Sequence, residues 1–148
     1  MPTPYHPSKR ARSRVKDQLP VPKTCNCCGS TSVSARKNSV VYRGKEYGAY
    51  PWIYLCEDCR AYVGIHRDTD IPLGTLADSR MRAARKRVKP PFEQLFDSDA
   101  AKLSRAQAYA VLAEEMGIPA SQCHFGMFTV DQCNQALVAV DRIWERLV

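Results

Sequence analysis

Apolar residues change their spacing along this chain, and the changes divide it into three stretches. Residues 1–22 hold Pro2, Pro4, Pro7, Pro20 and Pro22 and few large apolar groups. Such a stretch buries too little surface to offset chain entropy, so a disordered arm is expected. Residues 23–66 carry period-two patterns. Val33 to Lys37 and Ser39 to Arg43 read as strands, Gly44-Lys45 as a turn, and Tyr47 to Leu55 as a third strand. In the third strand Tyr50, Trp52 and Tyr54 alternate with Pro51, Ile53 and Leu55, which gives one aromatic and one aliphatic face. A short final strand is expected over Tyr62 to Ile65.

After a polar loop at residues 67–75 the period becomes helical. Thr75 with Asp78 reads as a capping-box variant, and the helix behind it is expected from Leu76 to about Lys89, ending at Pro90-Pro91. Its apolar stripe is Ala77, Met81, Ala84 and Val88. A short helix is expected from Pro91 through Phe92, Leu95 and Phe96. Ser104 with Gln107 caps the next, whose stripe is Tyr109, Leu112, Ala113 and Met116, and Gly117 ends it. Thr129 with Gln132 caps the last, from Val130 to about Arg146, with Cys133, Leu137, Val140, Trp144 and Leu147 on one face. The fold class expected is α+β: a small ribbon of three to four short antiparallel strands packed with three to four C-terminal helices. The ribbon (23–66) and the helical part (75–148) are expected to make one domain, 23–148.

The chemistry most visible in the chain is a pair of cysteine hooks, Cys25-Asn-Cys-Cys28-Gly29 and Cys56-Glu-Asp-Cys59. Two C-x-x-C pairs separated by a hairpin can surround one tetrahedral Zn²⁺ with four thiolates, so Cys25, Cys28, Cys56 and Cys59 are the expected ligands of one structural zinc. Four thiolates leave no open position for substrate. Cys27 could replace Cys28 in a shorter pair, but Gly29 behind Cys28 suits the turn of a metal knuckle. Cys27 is therefore read as a free thiol turned away from the metal. His66, Cys123, His124 and Cys133 are permissible ligands for a second metal. The competing reading puts Cys133 in the core as a small hydrophobe.

The chain has seven cysteines, an odd number. Residues 1–20 have no apolar segment of the secretory kind, and the apolar runs are too short to span a membrane. Metal binding is thus favoured over a disulfide framework, and a cytoplasmic protein is expected (the host cytoplasm for a phage product), without membrane association.

The formal net charge of +7 is concentrated. Lys9, Arg10, Arg12, Arg14 and Lys16 lie in the arm, and Arg80, Arg82, Arg85, Lys86, Arg87 and Lys89 lie in the first helix. Arg82, Arg85, Lys86 and Lys89 recur at helical spacing and form one basic face. These cations suit phosphate contacts with DNA or RNA; a solvated helix face is the plainer reading. Tyr42, Tyr47, Tyr50, Trp52, Tyr54 and Tyr62 can stack on unpaired bases or form the core between sheet and helices.

No phosphate-binding glycine loop, zinc-protease helix or serine elbow occurs, so no enzymatic activity is expected. The one arrangement that would suit a metal-dependent nuclease is His66 with Asp68 and Asp70, which also reads as an ordinary polar loop.

Taken together, Tyr54-Leu-Cys56-Glu-Asp-Cys59-Arg-Ala-Tyr62-Val-Gly-Ile-His66, Pro72-Leu-Gly-Thr-Leu-Ala-Asp78 and Arg82-Ala-Ala-Arg85 resemble a family of small zinc-finger-containing proteins of unknown function, found largely in bacteriophages and prophages. Arg105-Ala-Gln-Ala-Tyr109, Leu112-Ala113 and Cys123-His124-Phe-Gly-Met-Phe128 followed by Cys133 extend the resemblance over about residues 24–140. It implies that Cys25, Cys28, Cys56 and Cys59 bind zinc. It also implies that His66, the 72–78 loop and Cys123-His124 belong to a shared core. One departure is the lack of a histidine in Val88-Lys-Pro-Pro-Phe-Glu93, where family members tend to carry one. The function expected is a nucleic-acid-binding or transcription- or defence-associated regulator of phage type. The alternative is a module that binds and modulates a host enzyme such as RNA polymerase or a nuclease.

Overall fold

A computed structural model describes residues 1–148, which divide into two compact units, Met1–Asp78 and Ser79–Val148.

The first unit is built on a three-stranded antiparallel sheet of β1 (Val33–Lys37), β2 (Trp52–Cys56) and β3 (Tyr62–Gly64), with β2 in the centre. Val33 lies opposite Cys56 and Lys37 opposite Trp52, so β1 brings its start to the second hook. β1 has its expected bounds. Ser39 to Arg43 is not a strand; a 3-10 turn over Asn38–Val40 takes its place. The Asn38 N–H still bonds the Pro51 carbonyl at 2.8 Å, and beyond it the chain leaves the ladder. β2 starts only at Trp52, because Gly48 takes a left-handed φ of 86° and Pro51 has no N–H to donate. Tyr54, Ala35 and Ile65 form one buried cluster, against which Tyr50, Trp52 and Val63 pack.

The segment after β3 folds back on it. Ile65 pairs with Pro72 and Tyr62 pairs with Ala77 through two backbone hydrogen bonds of 3.1 and 3.0 Å. The ribbon unit therefore runs past residue 66 to Asp78. The helix expected from Leu76 begins at Ser79 instead, since the backbone groups of Leu76 and Ala77 are already bonded elsewhere in the ribbon unit.

The arm at residues 1–22, expected to be disordered, is anchored. It contains α1 (Lys9–Ser13), capped by the Ser8 hydroxyl. The Ser8 N–H donates to the Asp68 carbonyl at 2.8 Å and the Tyr5 hydroxyl donates to the Ala35 carbonyl at 2.9 Å. The Tyr5 ring meets Trp52 edge-on at 5.9 Å. These few long-range contacts supply the ordering that local composition lacks.

The second unit contains α2 (Ser79–Glu93), α3 (Arg105–Met116) and α4 (Val130–Leu147). The capping boxes expected at Ser104/Gln107 and Thr129/Gln132 form, and Gly117 ends α3 with a φ of 69°, whereas Thr75 and Asp78 both precede α2, which begins at Ser79. Pro90 and Pro91 do not stop α2. The carbonyls of Lys86 and Arg87 lose their helical donors, but both residues are exposed to water. Burial of Phe92 holds the helical path. Its ring contacts Tyr109 at 4.8 Å, Phe125 at 5.0 Å and Phe96 at 5.6 Å, with Phe125 meeting Phe128 at 5.2 Å. α4 buries Cys133, Ala136, Ala139, Val140 and Ile143, while Leu137, Trp144 and Leu147 pack at the margin of that core.

Candidate metal centre and basic surfaces

The two cysteine hooks share one backbone design. In the first, the Gly29 N–H bonds the Cys25 carbonyl at 2.9 Å and the Cys25 N–H bonds the Ser30 carbonyl at 2.8 Å. In the second, the Arg60 N–H bonds the Cys56 carbonyl at 2.9 Å and the Cys56 N–H bonds the Ala61 carbonyl at 2.9 Å. The residue after each hook is left-handed, Gly29 with φ 79° and Arg60 with φ 68°. The Ser30 hydroxyl donates to the Asp58 carboxylate and so joins the hooks directly.

This design brings four sulfurs together. Cys25 Sγ lies 3.6 Å from Cys59 Sγ, Cys28 Sγ lies 3.6 Å from Cys56 Sγ, and all four fall within 4.8 Å of one another. A tetrahedron of Zn–S bonds of about 2.3 Å spaces its sulfurs by about 3.8 Å, so the set fits one zinc ion. The distances are far beyond a disulfide bond of about 2.05 Å. Cys25 and Cys56 are buried; Cys28 and Cys59 reach solvent.

Backbone donors prepare the sulfurs for a metal. The Cys27 N–H points at Cys25 Sγ at 3.3 Å. The N–H groups of Cys59 and Asp58 do the same for Cys56 and, against the opposing effect of burial, lower its thiol to about 7. At Cys59 the Ala61 N–H also favours the thiolate, but burial and the neighbouring cysteines outweigh it and hold the thiol above its ordinary value. Four thiolates at this spacing repel one another strongly, and a divalent cation relieves that repulsion.

A family model described as a zinc-finger-containing domain matches residues 21–143. The chain belongs to this family. No curated protein and no solved structure is significantly similar to it. As a member of the zinc-finger-containing domain family with a converged four-cysteine set, the protein is a small zinc-binding protein that takes one zinc ion.

Cys27 stands outside this set. Its Sγ lies 3.5 Å from the Leu76 carbonyl, and burial raises its thiol. Of the residues named for a second metal, His66 belongs to the ribbon unit and Cys123, His124 and Cys133 to the helical unit. Only the four hook cysteines converge as a group of three or more. Cys123 and Cys133 belong to the apolar core of the helical unit, where burial pushes the Cys123 thiol up to about 11, whereas His66 belongs to the ribbon unit.

The nuclease arrangement is not brought together either. Asp70 Oδ1 sits 3.1 Å from Arg12 Nε, at ion-pair distance though not aligned as a hydrogen bond, and Asp68 lies 4.0 Å from Arg67. Burial holds His66 below the ordinary histidine value. Beside it, Arg14, Lys16 and Arg67 line a cleft of about 650 Å³ together with Ala11, Val15 and Asp68.

The six cations of α2 have different surroundings. Arg85 is half-buried and its Nε donates to the Phe128 carbonyl at 2.9 Å, which makes it a brace of the helical unit. Arg87 reaches Asn134 at 3.4 Å. Arg82 is half-buried. Arg80, Lys86 and Lys89 are exposed and have no hydrogen-bond or ion-pair partner. No helix is long and apolar enough to cross a membrane.

Two residues that hold the ribbon had no sequence signal beyond a general preference of asparagine for turns. The Asn26 amide bonds both backbone groups of Leu76 and the Asn38 amide bonds both of Tyr47.

Proposed function

We propose that this protein binds DNA or RNA through the outward side of α2, as a non-enzymatic regulator of phage type. Lys86 and Lys89 are the principal phosphate contacts on this reading, with Arg80, Arg82 and Arg87 flanking them. The observation that carries it is the run of six cations without an acid between Arg80 and Lys89, of which Arg80, Lys86 and Lys89 are exposed and unpartnered. Unpaired cations on one helix repel one another, and a polyanion removes that cost while releasing counterions. Arg85 is a structural residue on this reading, because its guanidinium is already bonded within the helical unit. Zinc acts indirectly: it folds the ribbon unit and takes no part in chemistry.

The test is binding of labelled DNA and RNA by the zinc-loaded protein across a salt series. Affinity should fall steeply with salt. Lys86→Glu with Lys89→Glu should lower the slope of log K against log salt by about one for each phosphate that the variant no longer neutralises. Absence of binding at low salt, or binding indifferent to salt and to both variants, overturns the proposal.

A further inference from the structure

We propose that a cleft of the ribbon unit binds a terminal phosphate, the dianionic phosphomonoester of a nucleotide or of a nucleic-acid strand end, between Arg14 and Lys16 on one wall and His66 and Arg67 on the other. The site belongs to the ribbon unit and does not depend on the reading given to α2.

The cleft joins two stretches far apart in the chain. Arg14 and Lys16 follow α1, and His66 to Asp68 belong to the turn after β3. The two stretches are tied together: the Ser8 N–H donates to the Asp68 carbonyl at 2.8 Å, and Arg12 Nε sits 3.1 Å from Asp70 Oδ1. Each wall is also fixed by itself. On the arm, the N–H groups of Arg14 and Val15 bond the carbonyls of Ala11 and Arg12, both at 3.2 Å. The Gln18 amide donates to the carbonyls of Arg12 and Val15 at 2.7 and 3.1 Å. On the turn, the buried Thr69 hydroxyl donates to the His66 carbonyl at 2.8 Å and accepts the Ile71 N–H at 3.0 Å. The His66 N–H bonds the Ile71 carbonyl at 2.8 Å. The backbone that carries the cations is thus set before a ligand arrives, which leaves less ordering cost to binding.

The charge in the cleft points to a dianion. Arg14, Lys16 and Arg67 are exposed, and no hydrogen bond or ion pair engages the side chains of Arg14 and Lys16. The one acid in the lining is Asp68, which lies 4.0 Å from Arg67. Asp70 is engaged by Arg12 and does not line the cleft. Three cations less one carboxylate leave a net charge of +2. A terminal phosphate carries about −1.5 to −2, against a single charge for a bridging phosphodiester or a carboxylate. Its three oxygens suit two guanidinium forks and an ammonium. His66 is half-buried in the lining and, as a neutral imidazole, has one ring N–H to donate.

Size agrees with a nucleotide. The cleft volume of about 650 Å³ lies among those of small-molecule sites, about 300–1,000 Å³, and exceeds the need of a bare phosphate. Ala11 and Val15 are half-buried in the lining and offer apolar surface beside the cations. The phosphate thus has its charge partners and the attached nucleoside has room.

The experiment follows the full zinc-loaded chain by two-dimensional NMR at fixed ionic strength, titrated with adenosine 5′-monophosphate, inorganic phosphate and adenosine. The nucleotide and inorganic phosphate should shift the amide signals of residues 11–16 and 66–68 saturably, and adenosine should not. Arg67→Ala and the double variant Arg14→Ala with Lys16→Ala should each weaken nucleotide binding about ten-fold or more. These side chains are exposed, so zinc content and the remaining signals should match the wild type. A single strand with a 5′ phosphate, compared with the same strand ending in a hydroxyl, separates the two sources. Binding tighter by about five-fold or more assigns the cleft to strand ends. Equal binding of the two strands, beside saturable nucleotide binding, assigns it to the free nucleotide. Absence of shifts at these residues up to about 10 mM nucleotide and phosphate, equal shifts with adenosine, or variants that bind like wild type overturns the site. Such a failure leaves the α2 reading standing, because that reading is tested on Lys86 and Lys89.

Discussion

The side-chain amide of Asn26 pairs with both backbone groups of Leu76: Nδ2 donates to the Leu76 carbonyl at 2.8 Å, and Oδ1 accepts the Leu76 N–H at 3.0 Å. A residue inside the first cysteine hook thereby ties the hook to the segment that returns after β3. Leu76 is buried, so its two backbone groups have little access to water as substitutes. Asn26→Ala should destabilise the zinc-loaded protein by about 1–3 kcal/mol. Asn26→Asp keeps the acceptor but sets a second oxygen against the Leu76 carbonyl, so it should cost at least as much as the alanine variant. Urea unfolding measures both, and a loss below about 0.5 kcal/mol for the alanine variant counts against the role given to this pair.

The converged sulfurs predict one zinc per chain. Elemental analysis should give a single equivalent, absent or loosely held in Cys28→Ser and Cys59→Ser and retained in Cys27→Ser. Removing zinc with a chelator should unfold the ribbon unit, because metal binding supplies folding energy that so small a core lacks. Zinc missing from Cys27→Ser as completely as from Cys28→Ser would show the first hook to be misassigned.

Behind its last cysteine the first hook has glycine and the second arginine, in the same left-handed conformation. At Gly29 a Cβ would meet nothing within 4 Å, so Gly29→Ala carries only the backbone penalty, about 1–2 kcal/mol. Arg60→Gly relieves that penalty but gives up the guanidinium bond to the Val40 carbonyl at 2.9 Å. The two effects are of similar size, so its net change should stay within about 0.5 kcal/mol. Thermal unfolding of the two variants separates them; equal destabilisation would argue against the matched design.

Burial lowers the pKa of His66, so the folded state resists its protonation while the unfolded chain accepts the proton near its ordinary value. The associated stability is present above the unfolded value of about 6.5 and is lost as pH falls from there through the lower folded value. His66→Gln should flatten this part of the profile. Urea midpoints of wild type and variant, with zinc in excess, should diverge in slope between about pH 7.5 and 5.5. Parallel profiles would mean that His66 titrates normally in the fold.

Local pattern alone was enough to read the cysteine ligand set, β1, the capping boxes at Ser104 and Thr129 and the Gly117 helix end. Each depends on residues within a few positions of one another, where chain geometry leaves little choice. Tertiary contacts decided the rest. Leu76 and Ala77 have a helical pattern yet bond to Asn26 and Tyr62, so α2 starts later. Ser39 to Arg43 has the β-branched and aromatic residues of a strand, but the Asn38 amide and left-handed residues turn the chain outward there. Pro90 and Pro91 remain helical because Phe92 is buried in an aromatic core. Arg85 shares a helical spacing with Lys86 and Lys89, and only the position of the Phe128 carbonyl separates the brace from the exposed cations. The zinc ligands were written in the sequence because two short hooks carry their own geometry. Which tyrosines and arginines face outward was not, because that depends on hydrogen bonds between residues far apart in the chain.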